Sequence, residues 1–75
     1  MTTEAEILDA RGLKCPLPVL KMEKRLAQLP VGAGLVVLAT DPMAKVDIPL
    51  HCRQNGHECA VSAEGEMLRF EIVKG

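Results

Sequence analysis

The sequence predicts an α+β fold: a two-layer sandwich of order β-α-β-α-β-β, with two helices on one face of a four-stranded mixed sheet. Three observations carry that prediction. Residues Pro16 to Leu29 repeat apolar side chains at steps of three and four, as an amphipathic helix does. Leu35 to Thr40 is an apolar run of strand length. Met67 to Val73 alternates, with Leu68, Phe70 and Ile72 set against Arg69 and Glu71. The chain has 75 residues, so a single domain spanning 1–75 is expected, with a small core.

The elements follow in order. Ile7-Leu8-Asp9-Ala10 reads as a first strand, ending at Arg11-Gly12. In the helix from Pro16, Val19, Met22, Leu26 and Leu29 form the core face, and Lys21, Lys24, Arg25 and Gln28 take the other side. Pro30 and Val31-Gly32-Ala33-Gly34 stop it. After the second strand, Asp41-Pro42 marks a turn. Asp47-Ile48-Pro49 reads as a helix opening, with Asp47 at the cap and proline in the first turn. That helix is expected to run to about Asn55 and to stop at Gly56, which tolerates left-handed geometry. His57 to Ala63 reads as a third strand, joined to the fourth by Glu64-Gly65-Glu66. Helical connections between the first three strands permit right-handed crossovers, which put both helices on one face.

Composition excludes several function classes. Net charge is −1, and Phe70 is the sole aromatic residue, so neither bulk attraction to nucleic acid nor base stacking is supplied. The start, Met1 to Glu6, is acidic and lacks a signal-peptide pattern. No apolar stretch approaches the ~20 residues that span a membrane, and a cytoplasmic protein is expected. Cysteines stand at 15, 52 and 59, an odd number without a C-x-x-C pair. Three free thiols are expected, with no disulfide framework, metal site or cofactor. The missing pair also disfavours a thiol reductase.

The stretch Arg11-Gly12-Leu13-Lys14-Cys15-Pro16-Leu17-Pro18 carries the chemistry. Proline disfavours helical geometry in the residue before it, so Cys15 is expected to be extended at the helix cap. Pro16 then occupies the first helical position and Pro18 the first turn, where missing N–H groups cost little. The two prolines fix the backbone and leave the N–H groups of Leu17 and Val19 as the nearest donors to a thiolate. With the helix dipole and the charges of Arg11 and Lys14 nearby, a depressed thiol pKa is expected at Cys15. The competing reading takes Cys15 as a small apolar residue at a helix start.

The string "LDARGLKCPLPVLK" resembles the signature of the TusA-type (SirA-like) sulfur carriers, a C-P-x-P motif after an Asp-x-Arg-Gly-Leu strand end. The likeness continues through "ATDP" (Ala39 to Pro42), "DIP" (Asp47 to Pro49), "CRQNGH" (Cys52 to His57) and the closing "RFEIVKG". It covers nearly the whole chain. The resemblance implies the same β-α-β-α-β-β sandwich and a sulfurtransferase activity without a cofactor. It makes Cys15 the residue that accepts sulfane sulfur as a persulfide, with Gly12, Pro16 and Pro18 shaping its loop. The implied partners are a protein donor, such as a cysteine desulfurase or rhodanese, and a protein acceptor. The acceptor would serve tRNA thiolation, molybdenum-cofactor enzymes or sulfur oxidation.

A persulfide relay needs one exposed nucleophilic sulfur and no resolving cysteine beside it. Cys52 lies one turn after Ile48, and Cys59 alternates in phase with Val61 and Ala63, so core packing is favoured for both. His51 and His57 lack a third ligand at metal spacing, and His57 after Gly56 suits a helix C-terminus. Lys14, Lys21, Lys24 and Arg25 form a basic stripe beginning at Cys15 that suits a solvated face or partner docking, with Arg11 beside it. Asp41 and Asp47 suit caps or partner contacts. The chain is expected to act as a monomer without direct nucleic-acid binding. The rival reading, a non-catalytic regulatory or RNA-contacting module, treats Cys15 as incidental; sulfur uptake on Cys15 discriminates the two.

Overall fold

A computed structural model describes residues 6–75. Its elements are β1 (Glu6–Ala10), α1 (Leu17–Leu26), β2 (Gly34–Ala39), α2 (Ala44–Gln54), β3 (Glu58–Glu64) and β4 (Met67–Val73). The sheet runs β1-β2-β4-β3, with β1 parallel to β2 and β4 antiparallel to both neighbours. The predicted order and mixed sheet are therefore those observed. The central strands β2 and β4 carry the apolar sequences, because both their edges are paired and the helices cover one face.

That face holds the core. Leu35, Val37 and Ala39 of β2 stand beside Phe70, Leu68 and Ile72 of β4, beneath Met22 and Leu26 of α1 and Ala44, Ile48 and Cys52 of α2. Phe70 is fully buried, and aliphatic side chains fill the space around it. At the β3–β4 hairpin Gly65 has φ +60°, the positive value that a two-residue turn requires.

Both helices differ from expectation at their ends. In α1 Pro16 occupies the cap and Leu17 the first position, one residue later than expected, so Cys15 lies just outside the helix. Pro18 rather than Val19 joins Met22 and Leu26 on the buried face. The predicted extension to Leu29 is instead a tight turn, in which Gln28 and Leu29 donate to the carbonyls of Arg25 and Leu26. The second helix starts three residues before Asp47, with Met43 at the cap, and Pro49 lies inside it. Asp47 is thus not the cap. The Asp41-Pro42 turn opens the helix itself: Asp41 Oδ1 accepts the Met43 N–H at 2.9 Å, and Ala44, Lys45 and Val46 each donate to the carbonyl three residues back. At the far end Gly56 has φ +76° and the His57 N–H donates to the Cys52 carbonyl at 2.8 Å, closing the helix as predicted.

Candidate functional site

Cys15 sits at the end of the sheet where β1 and β2 finish and both helices begin. The chain leaves β1 through Gly12, whose φ of +81° favours glycine and whose N–H donates to Thr40 Oγ1 at 2.9 Å. Cys15 then donates its N–H to Asp41 Oδ2 at 2.8 Å. Asp41 thereby ties the cysteine loop to the opening of α2, since its other oxygen holds Met43. These two hydrogen bonds keep the Asp41 carboxyl below its usual pKa. The Cys15–Pro16 peptide bond is cis. Pro16 is exposed, whereas Pro18 is fully buried and anchors the loop to the core.

The electrostatics of the thiol run opposite to the sequence expectation. Burial pushes the Cys15 pKa up to about 11, reinforced by a hydrogen bond to Asp47 and by the charges of Asp41 and Asp47. The cationic neighbours do not offset this. Arg11 is bound to Asp9 through Nε and Nη2, each at 2.9 Å. Lys14 acts on Asp41. The Leu17 N–H, expected to face the sulfur, instead donates to the Lys14 carbonyl at 2.9 Å. Cys15 is consequently half-buried, protonated and flanked by two carboxylates.

The basic stripe divides. Arg25 pairs with Glu6 and reaches Gln28 Oε1 at 2.7 Å. Lys21 lies near enough to Asp9 to lower its pKa. Together Lys21, Lys24, Arg25 and Gln28 line a shallow hollow with Leu8, on the β1 side of α1. The stripe therefore borders the site from one side only. On the other side, around the two helix starts, exposed apolar side chains, Leu17, Leu20, Met43, Val46 and Leu50, stand among the exposed lysines Lys14 and Lys45. The sequence reading missed these residues. Their signal was present, since Met43, Val46 and Leu50 follow helical spacing out of phase with Ala44, Ile48 and Cys52.

The remaining candidates take structural places. Cys52 is buried in the core and Cys59 is half-buried against it. Their thiols face each other across the α2–β3 junction, and burial raises both pKa values, that of Cys52 to about 12. His57 Nδ1 accepts the Gly75 N–H at 3.0 Å, and Asn55 Nδ2 donates to the His51 carbonyl at 2.9 Å. Among the described residues no group of three His, Cys, Asp or Glu side chains has metal-binding geometry. No helix among them is long and apolar enough to cross a membrane.

An apolar-packed sandwich presenting one cysteine between two helix starts defines a class of thiol-bearing protein. Residues 6–74 match the family described as Sulfurtransferase TusA, and the chain belongs to it. NMA0882 of Neisseria meningitidis serogroup A is 55% identical over 70 residues, 93% of this chain and 95% of the relative. The sulfur carrier protein TusA of Pseudomonas syringae is 48% identical over 58 residues, covering 77% of this chain and 68% of the relative. The chain spans only 38% of the length of a further relative, YrkF of Bacillus subtilis. The crystal structure of a SirA-like protein from Desulfitobacterium hafniense superposes with a TM-score of 0.83 at 25% identity, covering 92% of this chain and 96% of that one. A sulfur-carrier role, working between protein donors and acceptors of sulfur, follows from the family.

Proposed function

We propose that Cys15 is the residue that carries the sulfur, as a persulfide. A donor persulfide presents its terminal, sulfane sulfur to Cys15. The Cys15 thiol gives up its proton, and its sulfur bonds to the sulfane sulfur as the donor's S–S bond breaks. The donor leaves as a thiolate that takes up a proton. In the second transfer an acceptor thiol repeats the attack on the Cys15 persulfide. Each step exchanges one S–S bond for another, so no external oxidant or reductant enters.

The observation that carries this reading is the mooring of Cys15. Its backbone is held by Asp41 at the mouth of both helices, while Cys52 and Cys59 pack beneath α2. Cys15 at the start of α2 and Cys52 near its end are thereby kept apart. Gly12, Pro16 and Pro18 shape the loop. Lys21, Lys24 and Arg25, with Arg11 and Lys14, supply a positive field beside it that steers a protein partner. The carrier acts as a cytoplasmic monomer in which residues 1–75 form a single domain. A cysteine desulfurase or rhodanese serves as donor, and acceptors in tRNA thiolation, molybdenum-cofactor or sulfur-oxidation systems are the candidates for delivery.

The test is intact-mass analysis after incubation with thiosulfate and a rhodanese. The wild type is expected to gain one sulfur atom, reversible by dithiothreitol, and Cys15→Ser to gain none. Sulfur uptake that survives in Cys15→Ser and disappears in Cys59→Ser would assign the chemistry elsewhere.

A further inference from the structure

The relay uses one thiol of three, yet the fold sets the other two against each other. Cys52 lies in the last turn of α2, on the face that buries Ala44 and Ile48, and is 1% exposed. At Gly56, with φ +76°, the chain reverses, and the His57 N–H closes on the Cys52 carbonyl at 2.8 Å. Cys59 follows two residues later in β3, opposite Ile72, so its side chain lies on the helix-covered face of the sheet and packs on the core. The end of the helix and the start of the strand thus bring both sulfurs to one place. Their surroundings differ. Cys52 is sealed in the core, whereas Cys59 is half-buried on the edge strand of the sheet. Burial raises both pKa values; the contact with Cys59 raises that of Cys52 further, and the contact with Cys52 opposes the rise at Cys59. That asymmetry is the sign of a Cys52 S–H directed at the Cys59 sulfur, which leaves Cys59 the readier nucleophile of the pair.

We infer that Cys52 and Cys59 form a dithiol that reduces sulfane sulfur to sulfide, taking it from small persulfides. The Cys59 thiol gives up its proton and attacks the terminal sulfur of the donor. The donor's S–S bond breaks, the donor takes up the proton and leaves as a thiol, and Cys59 becomes a persulfide. Cys52 then gives up its proton and attacks the inner sulfur of that persulfide, the Sγ of Cys59. The outer sulfur leaves with the electron pair and the proton, as hydrogen sulfide. Two thiols have become a Cys52–Cys59 disulfide, and the sulfane sulfur has gained the two electrons they lost. No other oxidant or reductant enters, and the chemistry is independent of what Cys15 carries.

Proximity decides the fate of sulfur at each end of α2. A persulfide lasts only where no second thiol reaches its inner sulfur. Cys15 meets that condition: its backbone is held by Asp41 at the opening of α2, and Cys52 stands eight residues beyond Ala44, about 12 Å along the helix. Cys59 fails it, with Cys52 at its side. One end of the helix keeps sulfane sulfur and the other releases it. Access selects the donor. Cys59 is only partly exposed between α2 and the edge strand, so a slender donor reaches it where a persulfide fixed on a protein surface is held off by the helix.

The experiment sets the wild type beside Cys15→Ser, which keeps the pair and removes the carrier thiol. Each protein, reduced, folded and free of oxygen, is treated with glutathione persulfide; sulfide, intact mass and disulfide-linked peptides are then measured. Cys15→Ser is expected to release about one sulfide per chain above the decay of the donor, to lose two hydrogens and to yield a peptide linking Cys52 to Cys59. The wild type should show the same linked peptide. Adding Cys52→Ala to Cys15→Ser should stop sulfide release and leave one extra sulfur on Cys59. Circular dichroism confirms the fold of each protein, and where the double variant unfolds, the linked peptide and sulfide yield of Cys15→Ser decide. A folded Cys15→Ser protein that keeps both thiols free, or that holds a lasting persulfide on Cys59, overturns the inference. So does a linked peptide formed without sulfide, or a wild-type disulfide that joins Cys15 to either of the other two cysteines.

Discussion

Replacing Asp47 with asparagine isolates what the carboxylates do to the thiol. With a pKa of about 11, only about one Cys15 in a thousand is ionised at pH 8. Asparagine keeps the size of Asp47 but removes its charge and weakens the hydrogen bond to the sulfur, leaving burial and Asp41 in place. A fall of about one pKa unit is expected, which raises the thiolate fraction about tenfold. Each thiolate becomes about threefold less nucleophilic as its pKa drops, because reactivity in exchange follows basicity with a coefficient of about 0.4–0.5. The net gain is therefore about threefold at neutral pH. The assay is mixed-disulfide formation with a small disulfide reagent, assigned to Cys15 by peptide mapping and followed from pH 7 to 11. The wild-type rate should climb about tenfold per pH unit to pH 10 without a plateau. A wild-type plateau near pH 8, or an Asp47→Asn protein that reacts more slowly, would refute the reasoning.

Other expectations follow from the same geometry. Cys15 and Cys52 hold their protons more tightly folded than unfolded, so their contribution to stability is complete below about pH 9. It is lost as pH rises through about 11 and 12; urea titrations from pH 8 to 12 should show that decline, and a stability that rises there would contradict it. Pro18→Ala removes two buried carbons and should cost about 1–2 kcal/mol in urea unfolding, whereas Pro16→Ala, at an exposed position, should lower sulfur loading more than stability. Reversing Lys21 and Lys24 to Glu should slow loading from a protein donor, with the difference shrinking as salt shortens the Debye length below about 8–10 Å, and should leave polysulfide loading unchanged. Phe70→Ala empties the centre of the core at a cost of about 3–5 kcal/mol, most of what a chain of this size has, so circular dichroism should report a largely unfolded protein.

The sequence by itself determined the element order and the mixed sheet. Those features are local. Alternation sets β4 at Met67–Val73, three-and-four spacing sets the body of α1, and glycines set the hairpin and the end of α2. The motif around Cys15 is likewise contiguous, and its prolines restrict only their immediate neighbours. The boundary of α2 was less legible because two proline-containing turns compete for its start. Asp41-Pro42 won, since Asp41 holds Met43 and Cys15 at once, and the bond to Cys15 exists only after the chain folds.

Only the tertiary structure decided the charge state of the thiol and the character of its surroundings. Read along the chain, Cys15 has Arg11 and Lys14 for neighbours, but in the fold Arg11 turns back to Asp9, and α2 brings Asp41 and Asp47 to the sulfur. Coulomb interactions and desolvation act through space, so groups 26 and 32 positions away in sequence outweigh those within four. The exposed apolar residues near the cysteine gather in the same way: Leu17 and Leu20 of one helix and Met43 and Val46 of the other come to the end of the sheet that holds Cys15 because the fold starts both helices there.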